Sequence, residues 1–346
     1  MIELPVIGVF YSESELIHGW LENVFSQQAS SVIPIPILAV NQCADEQKTR
    51  QILAGLDEFW SRYPNKRIEL IRLDGNDGHT IAFNRAVERT RSKFPSATWI
   101  ASLDPDARFG PGTLAKLMTK GCTANDIGMV TPIVIQSNCR YEPDRWRQSE
   151  IGESQVLHVG HCPFVSPDSN AKGNFWKSPF AGKRVRTAIE ILEKNPTFGP
   201  FTACFCAGLW SVSMLENIDP PDEKQFRTLN CGEIGYRGQL FGYRTVIAID
   251  ALAFHPQACT HDFQLDEIDF DRKNGAYHQF HAQGLISLKY FPDELRLGSI
   301  RYNSEIKQWT DLFPDLVGIE PLVDQASRLA AYERWSMFIA PRRFGR

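Results

Sequence analysis

Ile100-Ala-Ser-Leu-Asp104-Pro-Asp106-Ala107 is the stretch on which the reading of this chain turns. An apolar run of strand type ends in two aspartates one residue apart. Alternate residues of a strand share a face, so Asp104 and Asp106 can point the same way, and Pro105 does not continue the ladder because it has no N–H to donate. Two carboxylates brought together repel unless something positive sits between them. A hard divalent cation is the natural partner. Mg²⁺ and Mn²⁺ favour oxygen ligands, take one or two carboxylates from a protein and complete their shells with water and substrate phosphates. Asp-x-Asp also occurs in solvated turns, so the surrounding chain has to decide between the two readings.

Upstream, strand-like and helix-like patterns alternate. Val6-Ile-Gly-Val-Phe-Tyr11 reads as a strand, and Ser12 or Ser14 is placed to cap a helix whose Leu16, Ile17, Trp20, Leu21, Val24 and Phe25 recur at helical spacing. Pro36–Val40 is a second strand and Glu46–Tyr63 a second amphipathic helix. Ile68–Leu73 is a third strand, followed by Asp74-Gly-Asn-Asp-Gly78 and a helix from about Thr80 to Lys93; Trp99–Leu103 is the fourth strand. This alternation predicts a parallel sheet covered by helices on both faces, with ligands at the carboxyl ends of the strands. Three polar clusters fall at those ends: Asn41-Gln42-Cys43, Asn76-Asp77-Gly78 and Asp104-Pro105-Asp106. That placement favours the cation over the solvated turn.

The chain has 346 residues and a formal net charge of −4, with no block of consecutive Lys and Arg, which argues against nucleic acid as a partner. Met1-Ile-Glu-Leu-Pro-Val6 lacks a basic stretch followed by a long apolar one, and nothing approaches the roughly twenty apolar residues that span a bilayer. The expectation is a cytoplasmic protein, soluble or peripheral at the inner face of the membrane. The eight cysteines are then reduced thiols, mostly filling core. His158, His161 and Cys162 lie close in sequence, and Cys204 and Cys206 are one residue apart. Neither group has the spacing of a structural zinc site.

The string Asn76-Asp-Gly78-His-Thr-Ile-Ala82-Phe-Asn84-Arg-Ala86, followed by Leu103-Asp104-Pro-Asp106-Ala107 and Leu114, resembles the N-x-G-x-x-x-A-x-N-x-G/A and L-D/N-x-D-x segments of inverting family 2 glycosyltransferases, including rhamnosyltransferases. Gly242-Tyr243, the run Thr245–Ile249 and His255 resemble the family's closing R-x-x-x-G-Y…a-x-x-x-H pattern. The likeness covers residues 4–118 well and 200–256 loosely. It implies an α/β fold of GT-A type, with a mostly parallel central sheet, helices on both faces and a C-terminal helical extension. Residues 1–135 would form the nucleotide-sugar-binding half, 136–257 the acceptor-binding half with a loop insertion, and 258–346 the extension.

The resemblance also implies roles. Asp104 would face the ribose and the metal, Asp106 the metal, and His255 would be a third metal or phosphate contact, with Mn²⁺ or Mg²⁺ as the ion. Asn76 and Asn84 would support the nucleoside pocket by hydrogen bonding, and Gly78 would let the backbone turn tightly. Two departures stand out. Asn41 occupies a position where relatives commonly carry an aspartate for the base; its amide can accept or donate, which suits uracil, thymine or cytosine. Inversion by direct displacement needs a carboxylate near the acceptor hydroxyl, and relatives supply it from an acidic pair. Here only Glu233 remains, in Asn230-Cys-Gly-Glu233-Ile234-Gly-Tyr-Arg237, and at the head of a helix an acid also serves the helix dipole. Trp210 and Arg237 are acceptor-site candidates; Trp210 equally suits core.

Asp144-Arg-Trp-Arg147 and Ala171–Lys183 mix aromatics with cations, a composition for a loop near a sugar or diphosphate or for a surface hairpin. Helical spacing recurs in His278, His281, Leu285, Leu288 and Phe291, and again over Leu322–Trp335. Such extensions in relatives mediate homodimers or membrane attachment, and Arg342-Arg-Phe-Gly-Arg346 is a short basic tail compatible with anionic lipid. No Q-x-x-R-W motif is present, which argues against a processive synthase. The function expected is transfer of one sugar from a nucleotide diphosphate to a hydroxyl of a cell-surface glycan or lipid-linked precursor. The alternatives are a relative that only binds a sugar nucleotide or a partner, and a metal-dependent nucleotidyltransferase. The latter, like a Rossmann dehydrogenase, is disfavoured because Tyr11-Ser-Glu-Ser-Glu15 has no glycine for a phosphate loop.

Overall fold

The structure is a computed structural model and describes residues 1–137, 151–160, 162–163, 176–177, 180–200, 202–224, 230–256, 285, 288–289, 315 and 317–319. Near its middle runs β1 (Ile2–Phe10), apolar on both sides. Leu4, Val6 and Phe10 pack into a core with Trp20, Leu21 and Val24 of α1 (Ile17–Ser26). Ile7 faces the opposite core. Between these side chains Gly8 is required by close approach: a Cβ there would lie 2.6 Å from Trp20 Cζ2. The chain continues through β2 (Val32–Val40), α2 (Glu46–Arg62), β3 (Glu69–Arg72), α3 (Gly78–Lys93) and β4 (Trp99–Leu103). Then follow β5 (Arg108–Phe109), α4 (Thr113–Gly121), β6 (Ile127–Ser137) and β7 (Val156–His158). β8 (Cys162–Pro163) and β9 (Trp176–Lys177) pair with each other, and α5 (Val185–Glu193), β10 (Ala207–Ser211), α6 (Val212–Asn217), α7 (Asn230–Leu240) and β11 (Arg244–Pro256) complete the described elements.

Among the described residues the main sheet runs β3-β2-β1-β4-β10-β6-β11-β5, with β7 paired to β6. β3, β2, β1 and β4 are parallel, β10 is antiparallel to both of its neighbours, and β11 is again parallel to β6. The predicted mostly parallel sheet is therefore present, with β10 the antiparallel strand inside it. Helices α1, α2 and α4 contribute to the core on one face. α3, α6 and α7 contribute to the core on the other. A third cluster joins β6, β7, β11 and α5. β6 runs through the 135/136 boundary expected between the two halves, so the sheet is continuous there.

Two local expectations need correction. β2 begins at Val32 rather than Pro36, because Pro34 and Pro36 precede Ile37, where pairing with β3 starts, and their missing N–H groups cost no ladder bond on that edge. Neither Ser12 nor Ser14 caps α1. Glu13 takes the backbone N–H groups of Tyr11 and Ser12 at 2.8 and 2.9 Å, and a 3₁₀ turn at Ser14–Leu16 leads into the helix.

Asp144–Arg147, the segment Leu322–Trp335 and the tail Arg342–Arg346 lie outside the described residues, as does most of Ala171–Lys183. Of the 278–291 helix, Leu285, Leu288 and Lys289 are described and helical. Among the described residues no helix is long and apolar enough to cross a membrane.

Candidate functional site

β4 delivers the aspartates as its sequence demands. Its apolar residues are buried on both faces, and at its end the Trp20 indole N–H donates to the Leu103 carbonyl at 3.1 Å, fixing α1 to the strand terminus. The Asp104 N–H donates to the Cys206 carbonyl at 3.1 Å and the Ala107 N–H to the Asp104 carbonyl at 3.0 Å, which folds Asp104-Pro105-Asp106 into a tight turn. β5 then pairs antiparallel with the end of β11, Arg108 with Phe254, and this register carries His255 back beside the turn. His255 Nε2 lies 3.2 Å from Asp106 Oδ1 and 3.9 Å from Asp104 Oδ2. The three side chains offer ligand atoms that all lie within 4.8 Å of one another.

The electrostatics match the geometry. Burial drives the Asp104 carboxyl up, to about 8, as do the nearby Asp106, Cys204 and Glu13, against the attraction of His255. Burial opposes the charged form of His255, but its hydrogen bond to Asp106 and the charges of both aspartates win and raise it to about 9. Two acids crowded into this turn and sharing one imidazole hold protons in place of a cation, protons that a bound metal ion would displace. Two carboxylates and one imidazole suit Mn²⁺ or Mg²⁺ by donor type, and three protein ligands leave positions for phosphate or water.

Sequence reasoning missed two neighbours. His79, in the first turn of α3, places Nε2 4.0 Å from Asp104 Oδ1, and its ring is stacked with Phe83 and tilted against Phe205. Its signal was its place directly after the Asn76-Asp77-Gly78 cluster at the end of the third strand. Glu13, at the end of β1, is buried, and burial raises its carboxyl although the N–H groups of Tyr11 and Ser12 bind it. Its charge acts on both aspartates.

Two strands away, Asn41 sits buried at the end of β2. Its Nδ2 reaches the Gly78 carbonyl at 3.5 Å, while its Oδ1 has no hydrogen-bond partner among the described residues. A buried, unsatisfied carbonyl oxygen is costly and marks a place for a donor. Gly78 begins α3 with φ +83°, where a side chain would be strained; Asn76 is exposed beside it. Asn84 is buried, and its Nδ2 donates 3.2 Å to the Pro221 carbonyl, so it braces the segment that precedes α7.

Against that segment stands Glu233, in the first turn of α7 and wholly buried. Its Oε2 accepts from the Asp222 N–H at 2.8 Å and its Oε1 from Arg237 at 2.9 Å, with Lys289 Nζ 3.6 Å from Oε1. Lys289 also pairs with Asp222. Arg237 further donates to the carbonyls of Asp219 and Pro220 at 2.9 and 3.1 Å. Its guanidinium thus holds Glu233 and this loop together. Trp210, the other acceptor-site candidate, points from β10 into the core. It is 0% exposed, its indole N–H donates to Ser102 Oγ at 2.9 Å, and its ring packs on Phe205 and Phe83, so it fills core.

The sheet also joins members of two groups that looked unrelated in sequence. β7 pairs with β6 and β10 pairs with β6 and β4, which brings His158 to the turn before β10; the ligand atoms of His158, Cys204 and Cys206 lie within 4.8 Å of one another.

Comparison with curated proteins gives no match. Among solved structures, GalNAc-T7 with UDP, GalNAc and Mn²⁺ has a TM-score of 0.60 at 12% identity, covering 98% of this chain and 56% of that one. This chain therefore spans little more than half the length of that neighbour. The mannosyltransferase PcManGT from Pyrobaculum calidifontis, in complex with GDP-Man and Mn²⁺, has a TM-score of 0.49 at 12% identity over 99% of this chain and 82% of that one. TarS 1-349 of S. aureus has a TM-score of 0.44 at 13% identity, covering 98% and 83%. The likeness to GalNAc-T7 is one of fold, and the fold is the α/β arrangement of the GT-A glycosyltransferases. The model of the family described as glycosyl transferase family 2 matches residues 6–177, a span that holds β1 to β4, the Asp104–Asp106 turn and the strand ends around it. Over that span the chain belongs to glycosyl transferase family 2.

Proposed function

We propose that the protein is an inverting glycosyltransferase that binds a nucleotide-diphosphate sugar across the ends of β2, β1 and β4 and passes the sugar to a hydroxyl acceptor. The observation that carries this reading is the Asp104–Asp106–His255 cluster at the end of β4, with the unsatisfied Asn41 Oδ1 two strands away. A pyrimidine imide or amino N–H donating to that oxygen places the base at β2, and the diphosphate then lies toward Asp104 and Asp106. Asn76 and Gly78 border the nucleoside, and Asn84 supports it through the Pro221 segment. The GalNAc-T7 structure, alike in fold, holds a ligand set of the kind proposed: a nucleotide, a sugar and Mn²⁺.

Asp104, Asp106 and His255 would hold Mn²⁺ or Mg²⁺, which supplies positive charge to a diphosphate leaving group. The acceptor oxygen forms its bond to the anomeric carbon as the bond from that carbon to the diphosphate breaks, and Glu233 takes the hydroxyl proton. A glycan or lipid-linked acceptor at the inner face of the membrane, reached from the cytoplasm by a peripheral protein or a homodimer, fits this chemistry.

A second reading follows from Glu233 itself. Wholly buried and hydrogen-bonded by Asp222 and Arg237, it equally suits a structural acid in a relative that binds sugar nucleotides without turning them over. Glu233→Gln separates the two. A catalytic base predicts unchanged donor affinity by calorimetry with turnover lost; unchanged turnover removes Glu233 from the mechanism.

A further inference from the structure

Behind the Asp104 turn lies a second set of ligand-type side chains, chemically unlike the first. His158, at the end of β7, is buried, and its Nε2 stands 3.0 Å from the Sγ of Cys206, also buried. Cys204 completes the trio, and its thiol interacts with Cys206 and with the buried Cys231 of α7. From the juxtaposition of His158, Cys204 and Cys206 we infer a binding site for a soft or borderline metal ion of the Zn²⁺ class, separate from the hard-cation site of Asp104, Asp106 and His255.

The donor sets sort the ions. Thiolate and imidazole together select zinc and its kin, whereas the carboxylate-rich cluster at the strand end selects Mn²⁺ or Mg²⁺. Zinc bonds of about 2.0 Å to nitrogen and about 2.3 Å to sulfur put the ligand atoms of a tetrahedral site roughly 3.5–3.8 Å apart. The trio, with no separation above 4.8 Å and His158 Nε2 3.0 Å from Cys206 Sγ, reaches that geometry by shifts of about 1 Å or less. Cys231, beside Cys204, offers a further sulfur for a closed, four-ligand site. The ligands come from β7 and from the turn before β10, so the ion would tie these elements together. It would also fix the Cys206 carbonyl, which accepts from the Asp104 N–H at 3.1 Å. The metal therefore acts as a brace for the donor site.

Co²⁺ is the probe, because a thiolate-bound cobalt ion absorbs strongly in the near-ultraviolet through sulfur-to-metal charge transfer and an ion held by carboxylates and imidazole does not. The full chain, purified metal-free under reducing agent, is titrated with Co²⁺ and then with Zn²⁺. The expected result is one equivalent of Co²⁺ with a charge-transfer band that Zn²⁺ displaces, retained in Asp106→Asn and lost in Cys206→Ser and in Cys204→Ser. No band in the wild-type protein with its thiols reduced overturns the inference, as does a band that survives both serine substitutions. If the serine variants fail to fold, the wild-type and Asp106→Asn titrations decide alone. A band lost in folded Asp106→Asn would mean a single mixed site and also overturns it. Donor binding is measured separately with Mn²⁺, so failure here leaves the glycosyltransferase reading to its own test.

Discussion

Arg237→Ala removes the closest cationic partner of a wholly buried carboxylate, and the structure sets the size of the effect. Breaking one side of a buried ion pair costs about 3–5 kcal/mol, since the remaining charge loses its compensation. Glu233 keeps the Asp222 N–H on Oε2, and Lys289 Nζ stands 3.6 Å from Oε1, so partial compensation survives and the low end applies, about 3 kcal/mol. The hydrogen bonds to the Asp219 and Pro220 carbonyls, made near the surface, account for about 1 kcal/mol of that. A double-mutant cycle isolates the pair: in a Glu233→Gln background Arg237→Ala should cost only about 1 kcal/mol, a coupling of about 2 kcal/mol. Urea unfolding followed by tryptophan fluorescence reads both quantities as shifts of the midpoint at constant slope, about 1 M for the single variant if the slope is near 3 kcal/mol per M. A single-variant cost below about 1 kcal/mol, or a coupling near zero, would refute the buried pair. Arg237 would then be free to meet an acceptor.

Gly8→Ala forces a methyl group against the Trp20 ring, 2.6 Å from Cζ2, and should destabilise the protein by about 1–3 kcal/mol in the same unfolding assay. Trp210→Phe removes the indole N–H that serves buried Ser102 and should cost about 1–3 kcal/mol of stability while donor affinity, measured by calorimetry, stays at the wild-type value. Mn²⁺ affinity should rise with pH: a ligating His255 must lose the proton it holds up to about 9, and Asp104 the one it holds up to about 8, so metal binding releases protons. Calorimetry in buffers of different ionisation enthalpy between about pH 6 and 9 checks this, and an affinity independent of pH would contradict it.

The first half of the sheet was legible because its signals are local. Apolar periodicity places β1, α1, α2, β3, α3 and β4, and the polar clusters sit where those strands stop. The start of β2 was missed, since prolines inside a strand are tolerated only where a neighbour is lacking, and the neighbour is set by topology. The partnership of His255 with Asp106 came from the family resemblance; the antiparallel pairing of β5 with β11 supplies its physical cause. Trp210 could not be assigned from sequence, because Phe83, Phe205 and Ser102, which enclose it, come from three other segments. Glu233 and Arg237 stand four residues apart on one helix, a spacing that signals an ion pair, and the search for acceptor contacts passed over it. His158, Cys204 and Cys206 escape any spacing rule because β7 and the turn before β10 meet only through their pairing around β6.

The central claim is that Asp104, Asp106 and His255 hold a divalent cation together with the diphosphate of a sugar nucleotide. Calorimetry of the wild-type protein and Asp106→Ala against UDP-, GDP-, dTDP- and CMP-linked sugars, with Mn²⁺ and with chelator, tests it most directly. The account predicts binding of one of the diphosphate donors, UDP-, GDP- or dTDP-linked, in the wild-type protein, dependent on Mn²⁺ and abolished by chelator and by Asp106→Ala, with the CMP-linked sugar, which has no diphosphate, left unbound. Binding that is indifferent to chelator or retained in Asp106→Ala, or no binding of any of the four, would contradict it.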